Sequence, residues 1–215
     1  MRDVYIFDMD GTLIDSMEHF EKGILAILDE KGILYENELI DIVTPLGYRG
    51  TAEYYVNRMG LSECVENIVK KIESFLYYEY ANNIVLKEGV LEYLQKLSTQ
   101  NARMFVLTAS PHLVTDACLK KNQVCDMFEE IWSVDEFGGL TKSDVELFQA
   151  VADKIGCRPE KVHYFDDNVI AVENATKANY DTFAVEDRQS KEVLEKLKMT
   201  AKHYVRSFKE LENER

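Results

Sequence analysis

Positive charge is scarce in this chain. Its 25 Lys and Arg stand against 39 Asp and Glu, a formal net charge of −14 over 215 residues. Nucleic acid phosphates and anionic membranes are held by clustered Lys and Arg, so neither is expected as a partner. An anionic small molecule would need a local positive pocket. Cysteine is scarce too. Cys64, Cys118, Cys125 and Cys157 include no CxxC pair, which argues against a zinc site or redox motif and for reduced thiols. No stretch approaches the roughly 20 apolar residues of a membrane span, and the start has no signal-peptide pattern. A cytoplasmic, soluble protein is therefore expected, without internal repeats or low-complexity segments. His19, His112 and His163 have no neighbours at metal or triad spacing and are assigned no chemistry. At 46% hydrophobic, the chain can bury a core and has room for one domain plus an insertion.

The apolar run from Val4 to Phe7 reads as a buried strand, broken by Asp8, Asp10 and Gly11. Taken alone, those three residues are ordinary turn material. After Asp15 the spacing becomes helical, with Phe20, Ile24, Ile27 and Leu28 on one face and Val65, Ile68, Ile72 and Phe75 on another. TPLGYRG, residues 44–50, is expected as a loop between them. From about residue 83 strands and helices alternate. Strands are expected at Met104 to Leu107, Glu130 to Val134, Val162 to Phe165 and Thr182 to Val185. Helices are expected over Val90, Leu91, Leu94 and Leu97, from Ser110-Pro111 with Pro in the first turn, from a capping box at Ser143 to Glu146, and from near Asn168. Such alternation implies an α/β fold with a Rossmann-like parallel sheet and right-handed crossovers. Residues 1–15 and 83–215 would form the core, and 16–82 an all-helical insertion.

In a parallel sheet, ligands bind outside the carboxyl ends of the strands. The exits here carry Asp8 and Asp10, then Thr108-Ala109-Ser110, then Asp166-Asp167-Asn168, with Lys142 just before a helix start. Two unit charges about 4 Å apart repel by ~4 kcal/mol at an effective dielectric near 20, so four converging carboxylates call for a cation. Mg2+ suits such oxygen ligands, and Lys142 alone could not offset them.

These residues resemble the four motifs of the haloacid dehalogenase-like superfamily, in order: DMDGT with Asp8 and Asp10, Thr108 before Ala109-Ser110, Lys142, and the acidic pair Asp166-Asp167. The resemblance covers essentially the whole chain and makes 16–82 a helical cap, as in the phosphoglycolate phosphatase and β-phosphoglucomutase branch. It implies that Asp8 is a phosphoryl-accepting nucleophile and Asp10 the acid and base. It assigns phosphate contacts to Thr108, Ala109 and Lys142. Mg2+ would be held by Asp8, Asp10 through its carbonyl, and Asp166-Asp167, with Asp167 favoured as the direct ligand. The implied activity is a Mg2+-dependent phosphatase acting on a small phosphorylated metabolite. A phosphomutase or a catalytically idle phospho-ligand-binding relative is the alternative. A monomer or weak dimer is expected.

Simpler roles compete at several positions. Thr108, Ser110 and Asn168 suit helix capping, and Lys142 by itself is a surface lysine. Arg49 is either a solvated charge or, with Gly47 and Gly50 beside it, a cap residue that meets the substrate. Cys64, Cys118 and Cys157 are expected to pack as small hydrophobes. Lys202, Arg206 and Lys209 fit an edge strand and a solvated helix.

Overall fold

In the computed structural model, which describes residues 3–36, 38–189 and 191–213, the chain divides into two units. One comprises residues 1–15 and 85–215, the other 16–84. In chain order the elements are β1 (Val4–Phe7), α1 (Met17–Glu30), α2 (Glu38–Val43), α3 (Gly47–Asn57), α4 (Val65–Asn82), α5 (Val90–Thr99), β2 (Arg103–Thr108), α6 (His112–Lys121), β3 (Glu130–Ser133), α7 (Val145–Ile155), β4 (Val162–Asp166), α8 (Val169–Lys177), β5 (Asp181–Val185), α9 (Lys191–Thr200) and β6 (His203–Val205). No helix among the described residues is long and apolar enough to cross a membrane.

The first unit is built on the period-two alternation of its strands. Val4 and Ile6 of β1 join Phe105, Leu107, Tyr164, Leu147, Phe148, Val151 and Ala175 in a buried cluster that packs α7 and α8 on one face of the sheet. Tyr5 and Phe7 point the other way. Phe7 stacks on Phe165 at 4.9 Å, Phe165 on Phe183 at 4.4 Å, and the Tyr93 ring of α5 meets Phe7 edge-on at 6.4 Å. Truncating a ring such as Phe165 to Ala would cost about 3–5 kcal/mol. All six strands are parallel, in the order β3-β2-β1-β4-β5-β6. The winding reverses at β1, so β1 lies between β2 and β4 and its exit faces the crevice where such sheets bind ligands.

The second unit is helical. Ile24, Ile27 and Leu28 of α1, Ala52 and Tyr55 of α3, and Ile68, Ile72, Leu76 and Tyr80 of α4 are among its buried residues. The Tyr55 hydroxyl is buried with them and donates to the Ile24 carbonyl at 3.0 Å. Phe20, Val65 and Phe75, expected on the buried faces, are only partly covered.

Several local expectations are corrected. TPLGYRG is a 3-10 turn, Thr44–Leu46, followed directly by α3, so it is no open loop. Gly47 makes the junction at φ 66, where a side chain would strain the backbone, and Arg49 and Gly50 fall in the first turn of α3. Pro111 is not in the first turn of α6 but is its N-cap, extended at φ −64, ψ 148, and the helix begins at His112. Ser143 does not cap α7. Asp144 takes the cap position, and its carboxylate instead accepts from Thr141 N and Oγ1 at 2.8 and 2.9 Å. A capping box exists at Ser133 and Glu136. In α5, Leu91 is exposed and Tyr93 takes a buried place. Cys64 is exposed, so it is not a packing residue, whereas Cys118 is buried and Cys157 partly so.

Candidate active site

Asp8 is the first residue beyond β1. Its N–H donates to the Phe165 carbonyl at 2.8 Å, which extends the β1–β4 ladder by one step and points the residue across the sheet edge beside Asp166. Asp166 ends β4 and Thr108 ends β2, so register alone brings the three strand exits to one place. Asp8 and Asp166 are buried, and Asp167 is partly exposed.

Lys142 reaches this edge from the loop before α7. Its ammonium donates to Asp8 Oδ1 and, at 2.8 Å, to Asp166 Oδ2, and the side chain is only 14% exposed. Asn174 of α8 donates to the Lys142 carbonyl at 3.2 Å and fixes its backbone. Asp166 accepts from three donors: Lys142 and the Tyr164 hydroxyl on Oδ2, and Asn168 N at 2.7 Å on Oδ1. Asn168 also caps α8, accepting from Ile170 N and Ala171 N. On the other side, the Ser110 hydroxyl donates to Asp10 Oδ2 at 2.6 Å, and Ser110 N donates to Thr108 Oγ1 at 3.0 Å. A side chain on Ser110 that looked like a helix cap therefore orients Asp10. Ala109, between them, is exposed at the strand exit.

Electrostatics at this edge are one-sided. Burial pushes the Asp8 carboxyl up to about 7, Lys142 opposes the rise, and Asp166 and Asp10 add to it. Asp167 is raised well above the usual carboxylate range by its enclosure and by the charges of Asp166 and Asp8. For Lys142, burial works against the charge, but Asp166 and Asp8 outweigh it and hold the ammonium above its ordinary value. Asp8, Asp166 and Asp167 place one carboxylate oxygen each within 4.8 Å of one another. One ammonium among three carboxylates leaves the excess negative charge that an oxygen-seeking divalent cation fits. Asp167 Oδ1 has a long 3.5 Å contact from Thr12, whereas Asp166 already accepts from two donors on Oδ2 and one on Oδ1. Gly11, at φ 77, lies against the same carboxylate, and a Cβ there would come 2.7 Å from Asp167 Oδ2. Only glycine fits.

Arg49 belongs to the other unit. It is 62% exposed and pairs with Glu66 at 3.4 Å. The three histidines left without chemistry pair with carboxylates: His19 with Glu79 at 2.6 Å, His112 with Glu136 at 2.8 Å and Asp116 at 3.5 Å, and His163 with Asp181 at 2.9 Å. Sequence reasoning missed Tyr164, whose hydroxyl reaches Asp166 from within β4, and it missed Lys87 and Gln189, described below. Tyr164 sits two residues before Asp166 on the same strand face, a period-two signal that could have found it.

A chain that folds this way, with these groups at its strand exits, belongs to the haloacid dehalogenase-like hydrolase family, whose pattern it matches over residues 5–185. A phosphorylated carbohydrates phosphatase of Thermotoga maritima is 23% identical over 179 residues, 82% of this chain and 81% of that protein. Among solved structures, a candidate β-phosphoglucomutase from Thermotoga maritima aligns with a TM-score of 0.83 at 21% identity, covering 98% of this chain and 97% of the other. CbbY of Rhodobacter sphaeroides, crystallised with phosphate, aligns with a TM-score of 0.77 at 16% identity, covering 98% and 96%. The likeness to these structures is one of fold.

Proposed function

We propose that the protein is a Mg2+-dependent phosphatase that hydrolyses a small phosphate monoester through a phosphorylated Asp8. The observation that carries this reading is the position of Asp8: a buried carboxylate at the central strand exit, steadied by Lys142 and flanked by Asp10 on a short bond from Ser110. Asp8 and Asp167, with the Asp10 carbonyl and with Asp166 directly or through water, would hold the Mg2+, which when bound offsets the charge of carboxylates and phosphoryl group alike.

The remaining work falls to side chains. A carboxylate oxygen of Asp8 attacks phosphorus, and the bond from phosphorus to the leaving oxygen breaks. Asp10 gives that oxygen its proton. Asp10, now ionised, takes a proton from a water that attacks the same phosphorus. The bond from phosphorus to Asp8 breaks, phosphate departs, and Asp8 is again a carboxylate. Thr108, the Ala109 N–H and Lys142 supply donors to the phosphoryl oxygens, whose charge spreads in the transition state. Ser110 holds Asp10 in place for both proton transfers.

Hydrolysis of p-nitrophenyl phosphate with Mg2+ and with EDTA tests the reading. Turnover with Mg2+ that disappears in EDTA is expected, and full activity in metal-free buffer would refute the metal role. Product analysis on phosphorylated sugars separates the alternatives: free phosphate marks a phosphatase, an isomeric sugar phosphate a mutase, and neither an idle relative.

A further inference from the structure

Asp167 is held by a group outside the four motifs. β5 runs parallel to β4 and ends at Val185, so residues 186–189 leave the sheet at the same edge as Asp167. The Gln189 side-chain amide donates to Asp167 Oδ2 at 2.9 Å and to the Asp167 carbonyl at 3.1 Å, gripping backbone and carboxylate together. Its oxygen accepts from Asp187 N at 2.9 Å. With a donor on one side and two acceptors on the other, the amide has a single satisfactory orientation.

Lys87 anchors this loop. Its ammonium donates to the Gly11 carbonyl at 2.7 Å, the Glu186 carbonyl at 2.7 Å and Asp187 Oδ1 at 2.9 Å, all three of its donors in use. The side chains of Lys87 and Asp187 are 18% and 6% exposed. The charge of Lys87 is therefore spent on Asp187 and two carbonyls, while Asp167 receives only a neutral amide. That division has a chemical sense. An ammonium on Asp167 would cancel the charge a cation needs, whereas an amide fixes one oxygen and leaves the other, Oδ1, available.

We propose that Gln189 is a positioning residue for the metal-binding carboxylate Asp167, and that Lys87 positions Gln189 through Asp187 while also holding the Gly11 carbonyl. The inference rests on the phosphatase reading only in taking Asp167 as a cation ligand. Partners of metal ligands typically change metal affinity by about 10–100-fold when removed.

The test is Mg2+ binding to the full chain by calorimetry, without substrate, for wild type, Asp167→Asn, Gln189→Ala, Gln189→Met and Lys87→Met. Gln189→Met keeps the length and packing of the side chain and loses the donor. Both Gln189 variants should raise the Mg2+ dissociation constant by about tenfold or more. Lys87→Met should raise it by less. In turnover assays the Mg2+ concentration for half-maximal rate should rise in step, and substrate KM at saturating Mg2+ should hold. Melting curves in EDTA report folding separately. Mg2+ binding by Gln189→Met equal to wild type, with Asp167→Asn defective, would overturn the role of Gln189 and leave the metal site standing. A wild type that binds no Mg2+ would overturn both.

Discussion

The two units of this protein bury different things. At the sheet edge, charged and polar groups are taken out of water and satisfied by one another across long stretches of chain: Lys142 on Asp8 and Asp166, Ser110 on Asp10, Gln189 on Asp167. In the helical unit the interior is mostly apolar. Among its ion pairs, Lys22–Glu18 and Arg49–Glu66 lie on the surface with side chains about half exposed or more, while Lys31–Glu63 and His19–Glu79 are partly covered. Buried ion pairs add little to stability compared with apolar residues of similar volume, whereas apolar burial is the main source of it. The polar edge therefore adds little stability for what it buries, whereas the helical unit rests chiefly on apolar burial.

Substitutions should separate the two. The largest expected effect is Asp8→Asn. The amide keeps the shape and loses the nucleophile, so turnover should fall by about 10⁴-fold or more, on the scale of deleting a covalent nucleophile. A variant that keeps a few per cent of wild-type hydrolysis would remove Asp8 from that role. Next comes the acidic pair. Asp166→Asn strips a buried carboxylate from Lys142, Tyr164 and Asn168, and should cost on the order of 3 kcal/mol in urea unfolding. Asp167→Asn should leave stability nearer wild type and weaken Mg2+ binding more than Asp166→Asn does. The reverse pattern would exchange their roles.

In the helical unit, Ile72→Ala should cost about 2–5 kcal/mol through the cavity it leaves, with hydrolysis of p-nitrophenyl phosphate by the folded protein close to wild type. A selective loss of kcat there would break the contrast between the units. Arg49→Ala tests the one surface charge proposed to meet substrate. Its exposed pair with Glu66 is worth little to folding. Loss of a charge-assisted contact should raise KM about tenfold for a substrate with a second anionic group, and leave p-nitrophenyl phosphate unaffected. Equal effects on both substrates, or none on either, would make Arg49 a solvated charge.

The parts of the molecule that repeat with a period were legible in the sequence. The strands, the helical stretch after Asp15 and the strand-exit residues Asp8, Thr108 and Asp166 follow from periodicity and from the parallel order that alternation implies. What was not legible depends on pairing between distant residues. Lys87 reads as any surface lysine until β5 delivers Glu186 and Asp187 to it, and Gln189 lies in a loop without pattern. Ser110 beside Pro111 suits a helix cap, but Asp10 arrives from a strand a hundred residues earlier and takes its hydroxyl. TPLGYRG has the composition of a loop, yet Gly47 uses its positive φ to make one sharp break, after which the chain runs straight into α3.

In the proposed reaction the phosphoryl group passes through Asp8. This step is tested most directly by trapping: Asp10→Asn is mixed with p-nitrophenyl phosphate and Mg2+, quenched in acid, and digested for mass spectrometry. This leaving group needs little protonation, so Asp8 should still be phosphorylated, while the water step, deprived of its base, slows by about 10²–10⁴-fold. A phosphoryl group is expected on the peptide containing Asp8, absent when Asp8→Asn is combined with Asp10→Asn. Hydrolysis by Asp10→Asn at the wild-type rate, or slowed turnover with the phosphoryl group on any other residue, would contradict it.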